Sequence, residues 1–297
     1  MVKKLVDKNN EVIVFDNEFR GTFDNLPKEK IRIIKGDIRK FEDWQKIPDE
    51  IELVYHFAAI NGTEFFYNIP EKVLEVNVKG IINCLDFIIE RKIPEIFFAS
   101  SSEVYGFPKK FPTPETEEMQ IPDPLNPRFS YSGSKMIGEL LCINYARKYG
   151  FKWTIVRYHN IYGPKMGYEH VMPQFIKKLV KNEKFEVEGD GTESRCFCFI
   201  DDAIEESLLV QRDNSVKERI FNIGNPEENS IKTLIQTISK IAEKDIIPIF
   251  KEKKQAGTKR RVPDISKVKQ LGFEPKINLE VGLRKTFEWY EKYYSQN

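Results

Sequence analysis

Glu95-Ile96-Phe97-Phe98-Ala99 is a short strand-forming run that ends in three serines, Ser100-Ser101-Ser102. Without polar alternation such a run reads as buried on both faces, the condition of a strand inside a parallel sheet covered by helices. Similar runs at Glu11–Asp16, Ile31–Ile34, Glu52–Ala59 and Phe151–Arg157 alternate with helical segments, among them about Pro70–Arg91 and Tyr131–Tyr149. The rhythm predicts an α/β fold built on a parallel sheet.

Tyr131-Ser132-Gly133-Ser134-Lys135 opens the second of those helices. A tyrosine and a lysine four apart share one helix face, so the ammonium lies near the phenol and favours phenolate. That moves a tyrosine pKa from about 10 toward working pH, as proton transfer requires. A serine hydroxyl at the end of the preceding strand completes the site by hydrogen-bonding the same substrate oxygen. The chemistry suggested is removal or delivery of a hydroxyl proton while hydride moves. By itself Tyr-x-x-x-Lys is more often a solvated helix face; the serine-tipped strand before it carries the chemical reading.

With these residues on the page, the chain resembles the extended short-chain dehydrogenase/reductases, specifically the NAD-dependent nucleotide-sugar epimerase/dehydratase family, over nearly its whole length. The resemblance implies a Rossmann-type doubly wound parallel sheet with a smaller C-terminal α/β substrate lobe. The expected division is a NAD-binding domain with the catalytic residues over 1–164. A nucleotide-sugar lobe follows over 165–297, with a return to the first domain around 195–225.

Cofactor contacts follow from matched positions. Asp16, at a strand tip beside Asn17, accepts from an adenosine ribose and repels a 2′-phosphate, which favours NAD over NADP. Gly36-Asp37-Ile38 resembles the adenine-contacting segment, and Phe57-Ala58-Ala59 ends a strand in small residues that admit cofactor. Asn77, in Val76-Asn77-Val78-Lys79-Gly80, resembles the family's Val-Asn-x-x-Gly. Tyr131 and Lys135 also face the cofactor, and the resemblance sets His159 near nicotinamide, with packing as its other reading. His56 reads as core.

The family's catalytic hydroxyl lies three residues before the Val of its Val-Tyr-Gly, so the resemblance to Val104-Tyr105-Gly106 implies Ser101 for that role. Sugar 4,6-dehydratases resemble Thr-Asp-Glu there and use the aspartate as their acid. With Ser102 in that place the chain is closer to decarboxylases or to an epimerase. Glu103 acts in substrate acid/base steps or, equally, is solvated or caps a helix. Asn160, in Tyr158-His159-Asn160-Ile161-Tyr162-Gly163-Pro164, is expected on the sugar diphosphate. Arg195, in the Gly189 to Asp202 motif, and Arg261, in Arg261-x-x-Asp264-x-x-Lys267, are its expected clamps, because guanidinium forks present paired donors to phosphate oxygens.

Lys and Arg exceed Asp and Glu by a net +1, which argues against nucleic-acid or membrane-surface partners held by bulk charge. No segment approaches the roughly 20 apolar residues of a membrane span, and the first residues contain no apolar leader. Cys84, Cys142, Cys196 and Cys198 read as reduced structural thiols, metal binding is not expected, and the cytoplasm is the expected compartment. The expected partners are a UDP- or dTDP-linked sugar and a second copy of the chain. The dimer would form through helices 70–91 and 131–149, with Ile81, Leu85, Ile88, Ile137, Leu141 and Tyr145 as apolar stripes.

The start of the sequence sets one expectation apart. What precedes Glu11 looks like the tail of a helix carrying Val2, Leu5 and Val6, and no Gly-x-x-Gly-x-x-Gly occurs in the 297 residues. The first strand and pyrophosphate-cradling turn are thus missing, as in a truncated family member. The activity expected is an epimerase working through a transient 4-keto sugar. Alternatives are a decarboxylase or dehydratase of the same family, a silent homologue that binds nucleotide sugar without NAD, or an oxidoreductase consuming external NAD(H).

Overall fold

The computed structural model describes residues 1–168, 170–216, 219–252 and 260–296. The chain divides into two compact units. One comprises residues 1–61, 65–100 and 124–155, the other residues 62–64, 101–123 and 156–297, so the backbone passes between them several times.

The first unit begins with helix α1 (Val2–Asp7) and strand β1 (Val12–Asp16), which pairs in parallel with β2 (Ile31–Lys35), Val12 opposite Ile31. After the short helix α2 (Phe41–Trp44) comes β3 (Val54–His56), then α3 (Thr63–Asn68) and the long α4 (Pro70–Glu90). Strand β4 (Glu95–Ser101) pairs in parallel with β3, Val54 opposite Ile96 and His56 opposite Phe98. Helix α5 (Phe129–Tyr149) leads to β5 (Lys152–Tyr158), the other neighbour of β4. Among the described strands, β1 pairs only with β2 and β3 only with β4, so the parallel strands of this unit form two separate sheets.

Strand β4 is buried from Ile96 to Ser100, as its unbroken apolar run requires. Helix α5 reaches it through Gly138: a Cβ there would lie 2.3 Å from Phe98 Cζ, a separation no real side chain tolerates. Helix α4 makes the same kind of approach at Gly80, over Ile38.

The expected dimer stripe on α4 is corrected here. Ile81, Leu85 and Ile88 are buried within the unit, because apolar helix residues facing a parallel sheet are consumed by that sheet. The exposed large apolar residues of these two helices are Leu74 on α4 and, on α5, Leu140, Tyr149 and the expected stripe residue Ile137.

The second unit continues with β6 (Ile161–Tyr162), α6 (Val171–Val180), β7 (Glu186–Glu188), β8 (Ser194–Cys196), β9 (Cys198–Phe199) and α7 (Ile200–Arg212). Then follow β10 (Ile220–Ile223), β11 (Glu228–Ser230), α8 (Ile231–Ala242), β12 (Ile249–Lys251), β13 (Arg260–Arg261), α9 (Ser266–Gln270) and α10 (Leu279–Gln296). Strand β8 is the centre of a three-stranded sheet, antiparallel to β11 and parallel to β13. Helices α6, α8 and α10 share one core of Phe175, Ile176, Leu234, Ile238, Leu283, Phe287 and Tyr290, which matches the apolar spacing of the last helix. All four cysteines are buried free thiols. Among the described residues no helix is long and apolar enough to cross a membrane, and no His, Cys, Asp or Glu group is arranged to hold a metal.

Candidate active site

In the first unit, Tyr131 and Lys135 stand one turn apart at the start of α5, and both are buried. The Tyr131 ring stacks on Phe66, centroids 4.8 Å apart. Lys135 Nζ donates to Ala99 O at 2.7 Å and lies 5.7 Å from the centre of the Tyr131 ring and 5.1 Å from that of Phe98. Burial pushes the Lys135 ammonium down to about 8, with Cys142 and Glu139 opposing the shift. The expected shared face of tyrosine and lysine is therefore present, and β4 supplies the carbonyl that anchors the cation.

Asn77 organises the ground beneath the pair. Its Oδ1 accepts from Ile60 N at 2.8 Å, while its Nδ2 donates to Ser134 Oγ at 3.0 Å and to Ile60 O at 3.3 Å. Ser134 Oγ in turn donates to Tyr131 O at 2.7 Å. One buried amide thus joins α4, the segment after β3 and the first turn of α5. Ser100 Oγ donates to the buried Glu139 Oε1 at 2.5 Å. His56 is buried against Phe98, and burial first, then Lys135, pushes it down to about 3, so it is neutral core.

The remaining cofactor candidates of this unit lie near strand ends. Asp16 is exposed at the tip of β1 with Oδ1 accepting from Glu18 N, and Asn17 Oδ1 accepts from Phe19 N at 3.0 Å. Asp37 is engaged by Arg39, whose Nη2 sits 2.6 Å from Oδ2; that bond chiefly holds the carboxyl below its usual range. Ile38 is buried, with its carbonyl taken by Trp44 Nε1 and Asn83 Nδ2. Phe57 is exposed and Ala58 and Ala59 half-buried, an open strand end.

In the second unit, Ser101 Oγ accepts from Glu103 N and caps the turn Ser102–Tyr105. Glu103 Oε1 accepts from Arg261 Nη1 at 2.7 Å, the side chains 18% and 7% exposed. Arg261 on β13 is the register partner of Arg195 on β8, so the two expected clamps leave one face of the sheet side by side. Arg195 Nη1 also donates to Ser194 O at 2.7 Å. Asn160 holds a left-handed backbone, φ 42°, and its Nδ2 donates to Cys196 O at 3.2 Å, which ties it to the same strand as Arg195. Of the three readings of Glu103, two are corrected: the carboxylate is mostly buried against a cation rather than solvated, and the cap of the 102–105 turn is Ser101.

His159 is fully buried beside a residue that sequence reading missed, Asn222 on β10. Asn222 Nδ2 donates to Thr113 O and Asp264 O, so its Oδ1 is an acceptor, taking Tyr105 O–H at 2.7 Å and His159 Nε2 at 3.0 Å. His159 is then the Nε2–H tautomer, with Nδ1 buried and unpaired, and burial pushes it down to about 3. Arg157 Nη1 donates to Tyr105 O–H at 3.0 Å and to Glu115 O at 2.9 Å. The signal for Asn222 was an amide inside the otherwise apolar run Ile220-Phe221-Asn222-Ile223.

Comparison with known proteins identifies the family. The profile of the NAD dependent epimerase/dehydratase family matches residues 1–224. The chain is 32% identical over 294 residues to a putative UDP-glucose 4-epimerase of Methanocaldococcus jannaschii, covering 97% of this chain and 93% of that one. It is 32% identical over 291 residues to UDP-glucuronic acid decarboxylase 3 of Arabidopsis thaliana, covering 95% and 82%. The UDP-glucose 4-epimerase of Thermotoga maritima, solved with UDP-glucose, superimposes with a TM-score of 0.89 at 30% identity over 98% of this chain and 94% of that one. A buried Tyr131–Lys135 face, an α/β architecture and matches of this extent make the chain a member of the NAD-dependent epimerase/dehydratase family.

Proposed function

We propose that this protein is a nucleotide-sugar epimerase working through a transient 4-keto sugar, and that the buried Tyr131–Lys135 pair is the observation that carries the reading. NAD supplies, when bound, reversible acceptance of hydride. Asp16, exposed at its strand tip, fits an adenosine ribose, and the open end Phe57–Ala59 with Asn77, Tyr131 and Lys135 fits the nicotinamide end. The Gly-rich diphosphate turn has no counterpart in the 297 residues, so the fit rests on the two nucleoside ends.

The chain's own residues divide the remaining work. Tyr131 exchanges the proton of the sugar hydroxyl, and the Lys135 ammonium favours its phenolate. Ser101 hydrogen-bonds the sugar. Arg195 and Arg261 take the diphosphate with the help of Asn160, and Glu103 serves the sugar's acid/base steps. Ser102 is buried and brings no carboxylic acid, which speaks against 4,6-dehydration.

A decarboxylase is the second reading, favoured by the likeness to UDP-glucuronic acid decarboxylases. Incubation with NAD and either UDP-glucose or UDP-glucuronate, followed by proton NMR of the sugar, separates the two. A 4-epimer is the expected product, and a pentose product with carbon dioxide release would replace epimerase by decarboxylase. In a separate incubation with NADH and a nucleotide-linked 4-keto sugar, stoichiometric oxidation of NADH would instead mark an oxidoreductase.

The protein acts in the cytoplasm as a homodimer in this reading, its two-fold contact made by Leu74 on α4 with Ile137 and Leu140 on α5. Leu140→Asp should then shift the light-scattering mass from two chains to one.

A further inference from the structure

We infer that Glu103 and the substrate's diphosphate compete for Arg261, so that seating the diphosphate releases the Glu103 carboxylate for the sugar. The inference rests on the nucleotide-sugar reading and goes beyond it. Three observations carry it. Arg261 and Arg195 are register partners on parallel strands, which brings two like charges onto one face of the sheet. Such a pair is unfavourable until an anion lies against it. The anion supplied by the chain is Glu103, 2.7 Å from Arg261 and 158 residues away in sequence. Finally, both members are mostly withdrawn from water, so exchanging the carboxylate for another anion costs Arg261 less than losing it outright.

A diphosphate is such an anion. It carries more charge than one carboxylate, and its oxygens can span two adjacent guanidinium groups. Exchange of partners keeps Arg261 compensated throughout. It leaves the carboxylate beside the bound nucleotide sugar only when a diphosphate is present, so Glu103 is held inactive in the empty site. Ser101 supports this arrangement by capping the Glu103 backbone N–H, which keeps the residue in place while its side chain changes partner.

The test is calorimetric binding of UDP and, separately, inorganic pyrophosphate to the full chain and to Glu103→Gln. Removing the competing charge should tighten both ligands about fivefold to tenfold. The same substitution placed on Arg261→Gln should give no gain, because the contested cation is gone. Should Arg261→Gln fail to fold, Arg261→Lys takes its place as the background, and there the gain should shrink. A gain that persists undiminished on the Arg261 variant would mean simple charge repulsion and would overturn the competition. Normal UDP binding that Glu103→Gln leaves unchanged or weakens overturns it as well, with the nucleotide-sugar reading intact. No binding of UDP together with binding of pyrophosphate that Glu103→Gln tightens would remove the nucleotide and keep the competition. Failure of both ligands to bind any form would overturn both readings.

Discussion

Lys135 Nζ donates to Ala99 O at 2.7 Å, and this bond ties the first turns of α5 to the end of β4. The cation is thereby held beside the Tyr131 ring with no carboxylate partner needed at the hydrogen-bonding distance.

Proton exchange should depend on that arrangement. Tyr131→Phe is expected to cut turnover by orders of magnitude while UDP binding stays close to the parent's, as measured by steady-state kinetics and calorimetry side by side. Lys135 loses its charge near pH 8, so turnover should fall above about pH 8, and Lys135→Arg should move that alkaline limb upward. Its effect on stability has the opposite sense. The folded group has the lower affinity for a proton, so its penalty is complete below about 8 and fades between about 8 and 10.5. A parent profile flat to pH 10 would contradict the assignment.

Arg195 should be indispensable for nucleotide binding. At UDP concentrations about 100 times Kd, mass action stabilises the folded chain by roughly 2.7 kcal/mol, seen as a raised thermal midpoint. Arg195→Ala is expected to fold and to lose that rise; an undiminished rise would place the diphosphate elsewhere.

Glu206 on α7 is fully buried; no hydrogen bond of full geometry reaches its carboxylate oxygens, and a weaker contact from the Gly224 backbone offsets burial only in part. Burial pushes it up to about 9 from 4.5. Below 4.5 both folded and unfolded chains hold the proton; between 4.5 and about 9 only the folded chain does. Stability therefore falls with rising pH, by at most about 1.4 kcal/mol per pH unit from this group. Glu206→Gln should remove that slope, so its advantage over the parent in urea unfolding should be larger at pH 8 than at pH 5. Equal differences at the two pH values would refute the buried neutral acid.

Gly138 tests the seating of α5. A methyl group there meets Phe98 Cζ at 2.3 Å, and overpacking of this kind costs roughly 1–3 kcal/mol. Gly138→Ala should lower the urea midpoint accordingly, and a Phe98→Leu change made with it should restore part of the loss.

Sequence alone determined whatever depends on near neighbours. Tyr131 and Lys135 are four residues apart on a helix, so their shared face follows from helical periodicity whatever surrounds it. The unbroken apolar run before Ser100 likewise implied burial on both faces, and Asp16 at a strand tip implied an exposed acceptor. Helix α4 marks the boundary of that reasoning. Its spacing shows that Ile81, Leu85 and Ile88 share an apolar side, yet whether a sheet or a second chain covers that side is not a property of periodicity. Only the tertiary structure decided the partners that lie far apart in the chain. Glu103 meets Arg261 across 158 residues, and Tyr105 meets Asn222 across 117. Each such contact exists because a buried polar group must find a partner wherever the fold brings one, and that choice is made by the packing of strands and loops around it rather than by any local pattern.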